Sequence, residues 1–216
     1  EEYLAAKEGV VCVCVDGRGT DARGRAFRNA TYSQLGIHEA EDQVAAALWL
    51  GQQAWVDASR IAIWGWSYGG FETLMSMSIC SMEPKLTGKM SFNNNAGSSP
   101  FRCGIAVAPV TDWRLYDSSY TERFMQRPEW NEEGYDASAL PQLAQHLQGR
   151  VLIVHGLADD NVHVQNAFLY MEALVREGKQ FEMQIYPDDN HFLRKRSNYN
   201  HLYHRMLDFL RAQLLN

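Results

Sequence analysis

No apolar stretch in the 216 residues approaches the roughly 20 that a helix needs to cross a bilayer, so no transmembrane segment is expected. Basic charge is also short. Twenty Lys and Arg stand against 26 Asp and Glu, a formal net charge of −6, which removes the electrostatic footprint of a general nucleic-acid binder. Arg194, Lys195 and Arg196 make only a brief solvated run. Four cysteines are too few for a disulfide framework in a chain of this size. Cys12 and Cys14 share one face of the extended run from Val10 to Val15, too drawn out for easy bridging, and read as small buried apolar residues. Internal repeats are missing, and Gly17-Arg18-Gly19 lacks the third glycine and following helix of a dinucleotide loop, which leaves a turn at a strand end. The chain opens at Glu1 with neither an initiator Met nor a basic-then-apolar leader, so either a targeting segment was removed or this is a piece of something longer.

What remains is globular. A hydrophobic fraction of 46% and a charged fraction of 21% are enough for a core. Apolar runs alternate with longer periodic segments, the βαβ rhythm of a mostly parallel sheet covered by helices on both faces. Strands are expected at 10–15, 60–65, 103–108, 150–154 and 181–186, with covering helices over 39–54, 165–176 and 202–214. One α/β domain over 1–216 accounts for the length. Residues 83–100, rich in Asn, Gly and Ser, read as a polar surface excursion, and the aromatic-rich stretch 111–137 as more than a linker.

The chemistry concentrates in Ile61-Ala62-Ile63-Trp64-Gly65-Trp66-Ser67-Tyr68-Gly69-Gly70. A bare G-x-S-x-G arises by chance in roughly one chain in fourteen of this length. Its context, strand before and helix after, is that of a nucleophile elbow, where Ser67 sits on a strained turn and small residues at Gly65, Gly69 and Gly70 avoid collisions. The backbone N–H of Tyr68 then faces a developing oxyanion. A serine needs a base and the base needs a carboxylate, in the order acid then histidine for this fold. Asp159 lies in the loop after the apolar run Val151 to Val154, and His191 in the loop after the next strand. Seven histidines compete: His201 and His204 share spacing on the last helix without a third metal ligand, His155 ends a buried strand, and His163 opens a helix. His191 fits the spacing best. No metal or other cofactor is expected.

These stretches resemble the catalytic domain of the prolyl oligopeptidase family, most closely its dipeptidyl peptidase IV branch. The likeness runs through Asp16-Gly17-Arg18-Gly19-Thr20, Leu35-Gly36 with Glu39 and Glu41-Asp42-Gln43, the elbow, Gly104 to Val110, Tyr116-Asp117-Ser118, Tyr120-Thr121-Glu122-Arg123 and His155-Gly156 with Asp159 to His163. It implies an α/β-hydrolase fold with Ser67, Asp159 and His191 as triad. It also implies an apolar pocket for a proline ring, formed by Tyr68, Val110, Trp113, Tyr116, Tyr120 and Val162, with Asn161 hydrogen-bonding the carbonyl one residue upstream. Phe192 departs from the usual Gly after the histidine. The late Cys that pairs with the equivalent of Cys103 in some members is missing, so Cys103 should be free unless Cys80 substitutes.

By the same resemblance, the parent carries a β-propeller, whose paired Glu residues hold a substrate's ammonium group, and leading strands that bring a second oxyanion donor. The chain is then an N-terminally truncated part of a serine peptidase releasing Xaa-Pro or Xaa-Ala dipeptides from peptides whose second residue is proline or alanine, inactive in isolation. The resemblance points to a periplasmic or secreted parent and to a homodimer as one assembly. Alternatives are an acylaminoacyl peptidase or esterase on the same fold, and a non-catalytic binding relative.

Overall fold

The computed structural model describes residues 2–82 and 98–215. Among the described residues four strands are present: β1 (Ala62–Trp66), β2 (Cys103–Val107), β3 (Arg150–Gly156) and β4 (Glu182–Tyr186). They pair in sequence order and every pairing is parallel. Parallel neighbours need crossover segments, and the helices supply them. In chain order these are α1 (Glu2–Glu8), α2 (Arg25–Arg28), α3 (Ile37–Leu50), α4 (Tyr68–Ser78), α5 (Ser118–Met125), α6 (Glu132–Ser138), α7 (Gln165–Arg176) and α8 (Arg196–Leu210). α4 links β1 to β2, α7 links β3 to β4, and the aromatic stretch with α5 and α6 lies between β2 and β3.

Side chains alternate across a strand, so a sheet covered on both faces needs two apolar sets. Both are present. Ala106, Val151 and Ile153 join Phe71, Leu74 and Met75 of α4 and Ala167, Tyr170 and Leu174 of α7 in one core. Cys103, Ile105, Val107, Leu152 and Val154 turn the other way onto Leu202, Met206 and Phe209 of α8. The helices on both faces and the mostly parallel sheet agree with the expected fold class.

The expected strand at 10–15 is not formed: Val11 and Val13 are more than half exposed, and Cys12 and Cys14 are exposed rather than buried. A strand exists through its ladder, and among the described residues no segment pairs with this one. β1 likewise has β2 as its only partner among the described residues, and Trp64 on it is exposed. Gly17-Arg18-Gly19 is a turn as expected, pinned by the fork of Arg18 on Asp42 and Glu41 at 2.7 to 3.0 Å. The first helix expected over 39–54 begins at Ile37 and ends at Leu50, the second matches its expected range, and the last begins at Arg196. Cys103 is free and fully buried, which pushes its thiol up to about 12. The excursion at 83–100 falls mostly outside the described residues.

Candidate active site

β1 ends at Trp66 and α4 begins at Tyr68, so Ser67 alone makes the turn between them. Its backbone stands at φ 60° and ψ −116°, a conformation a serine occupies only under constraint. Two backbone hydrogen bonds supply it: Ser67 N–H donates to Val107 O at 2.8 Å and Phe71 N–H donates to Ser67 O at 3.1 Å. Close packing does the rest. A Cβ on Gly65 would lie 2.3 Å from the carbonyl of Gly69, and one on Gly70 would lie 2.9 Å from Val107 O. Gly69 is different, because a Cβ there meets nothing within 4 Å, so the elbow requires two of its three expected small residues rather than all three. Tyr68 is the first residue of α4, where a backbone N–H has no partner within the helix and points outward.

The carboxylate and imidazole come from the ends of the next strands. Asp159 follows β3 and is buried; its Oδ1 accepts from the N–H groups of Asn161 at 3.0 Å and Val162 at 2.9 Å. Its Oδ2 faces His191 Nδ1 at 2.8 Å and His155 Nε2 at 3.3 Å. Burial opposes the charge, but the hydrogen bonds from the two imidazoles outweigh it and hold the carboxyl well below its ordinary range. His155, wholly buried at the end of β3, also places Nε2 2.8 Å from Val162 O. The loop of His191 is tied to the elbow through Trp66, next in chain to Ser67, whose indole N–H donates to His191 O at 2.9 Å. Nδ1 is thus the His191 ring nitrogen engaged on Asp159. Phe192 is half exposed and turns the edge of its ring to His191, with the guanidinium of Arg194 over it at 4.6 Å.

Beside Ser67 opens a cavity of about 200 Å³ lined by Ser67, Tyr68, Val110, Trp113, Tyr116 and Tyr120. Its aromatic walls hold one another: Trp113 lies 5.4 Å from Tyr68, 5.1 Å from Phe71 and, stacked, 6.0 Å from Tyr120. Trp113 is almost wholly buried and belongs to the core as well as to the cavity. Tyr116 donates its hydroxyl to Asn161 Oδ1 at 2.8 Å, which ties the pocket to the Asp159 loop. Val162 is buried and is not among the lining residues; its backbone serves Asp159 and His155 instead. His201 and His204 are exposed, and His201 pairs with the hydroxyl of Tyr186. Among the described residues no group of three His, Cys, Asp or Glu is placed to hold a metal ion.

Three residues at the site escaped the sequence reading of roles. Trp66 was visible only as a motif neighbour, and His155 was weighed only as a competing base at the end of a buried strand. Glu39 is buried behind Tyr68 and accepts its hydroxyl; in the sequence it stood out only as one of the residues that carry the family resemblance.

A profile of the prolyl oligopeptidase family matches residues 1–85 and 89–216. The chain belongs to the prolyl oligopeptidase family. It is 43% identical over 212 residues to a probable dipeptidyl-aminopeptidase B of Coccidioides posadasii, covering 97% of this chain and 21% of that protein. A protein described in the same words in Pyrenophora teres f. teres is 43% identical over 219 residues, 100% of this chain and 22% of the relative. Among solved structures, the crystal structure of Porphyromonas gingivalis dipeptidyl peptidase 4 superposes with a TM-score of 0.83 at 51% identity, over 93% of this chain and 26% of that one. The chain thus spans about a fifth of the length of the curated relatives it matches.

Proposed function

We propose that residues 1–216 are the catalytic α/β-hydrolase part of a longer serine peptidase that releases Xaa-Pro or Xaa-Ala dipeptides from peptide N-termini. The observation that carries the reading is the strained Ser67 turn opening onto an aromatic cavity, with the His191–Asp159 hydrogen bond at 2.8 Å on the adjoining loops. The relatives' names support the substrate class. The exposed valines of 10–15 and the open edge of β1 support a parent that supplies further strands. A homodimeric parent belongs to the same reading, on the family resemblance alone.

In this mechanism Ser67 Oγ attacks the carbonyl carbon of the second residue while its proton passes to His191 Nε2. Asp159 keeps the Nδ1 proton in place and stabilises the imidazolium. The new oxyanion lies toward the Tyr68 N–H. Collapse of the tetrahedral species expels the remaining peptide as an amine, which takes the proton from His191, and water then frees the dipeptide by the same steps in reverse. Tyr68, Val110, Trp113, Tyr116 and Tyr120 enclose the ring of proline or the methyl of alanine. Asn161, held by Tyr116, and Val162, holding Asp159, complete the set.

The test is covalent. A fluorophosphonate added to the parent polypeptide should modify Ser67, read as one adduct by intact mass and peptide mapping. Labelling that persists in Ser67→Ala would overturn the assignment.

A further inference from the structure

The mechanism leaves one buried carboxyl at the site without a task. Glu39, on the first turn of α3, is 8% exposed. Its Oε1 accepts the Tyr68 hydroxyl at 2.5 Å and its Oε2 accepts the Gly36 N–H at 3.0 Å. Gly36 is at φ +86°, and a Cβ there would lie 2.4 Å from the Phe71 ring, so the cap is packed directly on α4. Phe71 in turn meets the Tyr68 ring edge-on at 5.7 Å. Tyr68 therefore joins three things in one residue: a hydroxyl held by Glu39, a ring that forms one wall of the cavity, and the backbone N–H that faces the oxyanion position.

We propose that Glu39 is a positioning residue of the active site, which acts through the Tyr68 hydroxyl to hold the pocket wall where a proline ring binds. The proposal deepens the peptidase reading and rests on it for the identity of the ring.

A capping role alone would require only the Gly36 contact. The second oxygen is committed to the phenol, and this bond is short, as expected between an O–H donor and an ionised acceptor. The groups that face the carboxyl, among the described residues, are Tyr68 and Glu72 from α4 and Tyr120 from α5, none of them a cation. Burial without a cation raises the carboxyl to about 7, against the opposing pull of the Tyr68 and Gly36 hydrogen bonds. When ionised, both oxygens accept. When protonated, the carboxyl either turns its proton on the Gly36 N–H or donates it to a phenol that must reverse and accept, and in both cases the charge-assisted bond from Tyr68 gives way to a weaker neutral one. The pocket wall is therefore firmest above neutral pH and loosens as the medium turns acid. Glu72 is also raised by burial, but the side-chain hydrogen bond it receives comes from Gln43 rather than the phenol, which makes it the natural control.

The experiment uses the parent polypeptide and needs no turnover. The affinity of glycylpyrrolidide is measured by calorimetry from pH 5.5 to 8.5 in the wild type, Glu39→Gln, Tyr68→Phe, the double variant and Glu72→Gln. The ammonium group of the probe titrates alike in all five, so differences between proteins report the pocket. The expected result is about tenfold tighter binding above pH 7 than below pH 6 in the wild type and in Glu72→Gln, the scale of one charge-assisted hydrogen bond. Glu39→Gln and Tyr68→Phe should flatten this dependence, and the double variant should lose no more than either single change. Infrared difference spectra should show a carboxyl stretch titrating near neutrality that disappears in Glu39→Gln and moves to higher pH in Tyr68→Phe. An unaltered pH dependence in Glu39→Gln, or additive losses in the double variant, would overturn the proposal and leave Glu39 a helix cap. Absence of Ser67 labelling by fluorophosphonate would instead count against the peptidase reading, and the binding and infrared results would still decide the Glu39 proposal.

Discussion

Gly156, the last residue of β3, packs against the backbone of the loop that carries His191, and replacing it with alanine should push that loop away from the Asp159 loop. A Cβ at this position would lie 2.4 Å from Asp189 O, 2.8 Å from Asn190 O and 2.9 Å from Asp189 C. All three are backbone atoms, so no side-chain rotation relieves them. To bring the nearest contact out to 3.0 Å, the shortest that real Cβ atoms tolerate, the segment must retreat by about 0.6 Å. That segment is held in place by Ala158 N–H to Asp189 O at 3.0 Å and Leu157 N–H to Tyr186 O at 2.9 Å, and it carries His191 one residue beyond Asn190. Moved by this amount, the 2.8 Å bond from His191 to Asp159 stretches toward the limit of a hydrogen bond. Overpacking of this kind costs roughly 1 to 3 kcal/mol of stability, and a displacement approaching 1 Å in a catalytic group can cost on the order of 10²-fold in rate.

The assay is steady-state release of a chromogenic amine from Gly-Pro substrates by the parent polypeptide, with denaturant unfolding alongside. In Gly156→Ala, kcat should fall by about 10²-fold. KM should hold within about twofold, because none of the three atoms that a Cβ at Gly156 would crowd most closely belongs to a residue lining the cavity. A variant with wild-type kcat and stability would refute the close-packing argument. A rise in KM with kcat intact would refute the assignment of this loop to the chemistry.

Tyr116→Ala should lower kcat/KM for Gly-Pro amides by about 1 to 3 kcal/mol of transition-state binding and for Gly-Ala amides by less, since a ring loses more wall than a methyl; equal losses would make Tyr116 a scaffold residue. Glu39 gives a stability prediction whose sign is fixed: its folded value near 7 lies above the ordinary 4.5, so the fold binds the proton more tightly and its stability falls as pH rises between these values. The full difference is on the order of 3 kcal/mol, and Glu39→Gln should abolish this part of the slope in chemical denaturation at pH 5 and pH 8. Asp159→Asn should leave the fold intact above pH 5 yet reduce kcat by about 10⁴-fold, because an amide cannot fix the required imidazole tautomer; retention of a tenth of the activity would remove Asp159 from the triad.

The parallel sheet was readable because β1, β2 and β3 are largely apolar runs and β4, Glu182–Tyr186, alternates polar and apolar residues. The run at 10–15 has the same local signature and forms no strand. Its neighbour along the ladder is missing from the described residues, and partner availability is not a property of six residues. Helix ends failed in a similar way. α8 starts with the polar turn from Arg196 to His201, where the apolar spacing that marked 202–214 has not yet begun. α3 starts two residues before its expected position because Gly36, with the Glu39 side chain returning to its N–H, sets the cap. Gly69 was grouped with Gly65 and Gly70 because a motif records residue types without saying which of them are crowded.

The order of strands explains why Asp159, His191 and Ser67 could be singled out from the sequence while the contact of Glu39 with Tyr68 could not. β1, β2, β3 and β4 are adjacent and parallel, so the residues that follow each strand emerge along one end of the sheet. Ser67 follows β1, the pocket residues from Val110 to Tyr120 follow β2, Asp159 follows β3 and His191 follows β4. A residue at a strand end is placed by topology, and topology can be read from periodicity. Glu39 reaches the site from a helix on one face of the sheet, through the packing of Gly36 on Phe71. Its role depends on burial, and sequence records a carboxyl without its surroundings. The same division separates the chemistry from the ring pocket. On the proposed mechanism, perturbing the ends of β3 and β4 should act on the proton path and appear in kcat, whereas perturbing the segment after β2, or the Glu39 contact behind Tyr68, should act on ring binding and appear in KM. One variant from each group, combined, should give losses in kcat/KM that add, since Gly156 and Tyr116 share no contact among those that crowd Gly156 or hold Tyr116. Strong non-additivity between Gly156→Ala and Tyr116→Phe would show that the Tyr116–Asn161 hydrogen bond couples pocket and acid, so that the two halves of the site move as one.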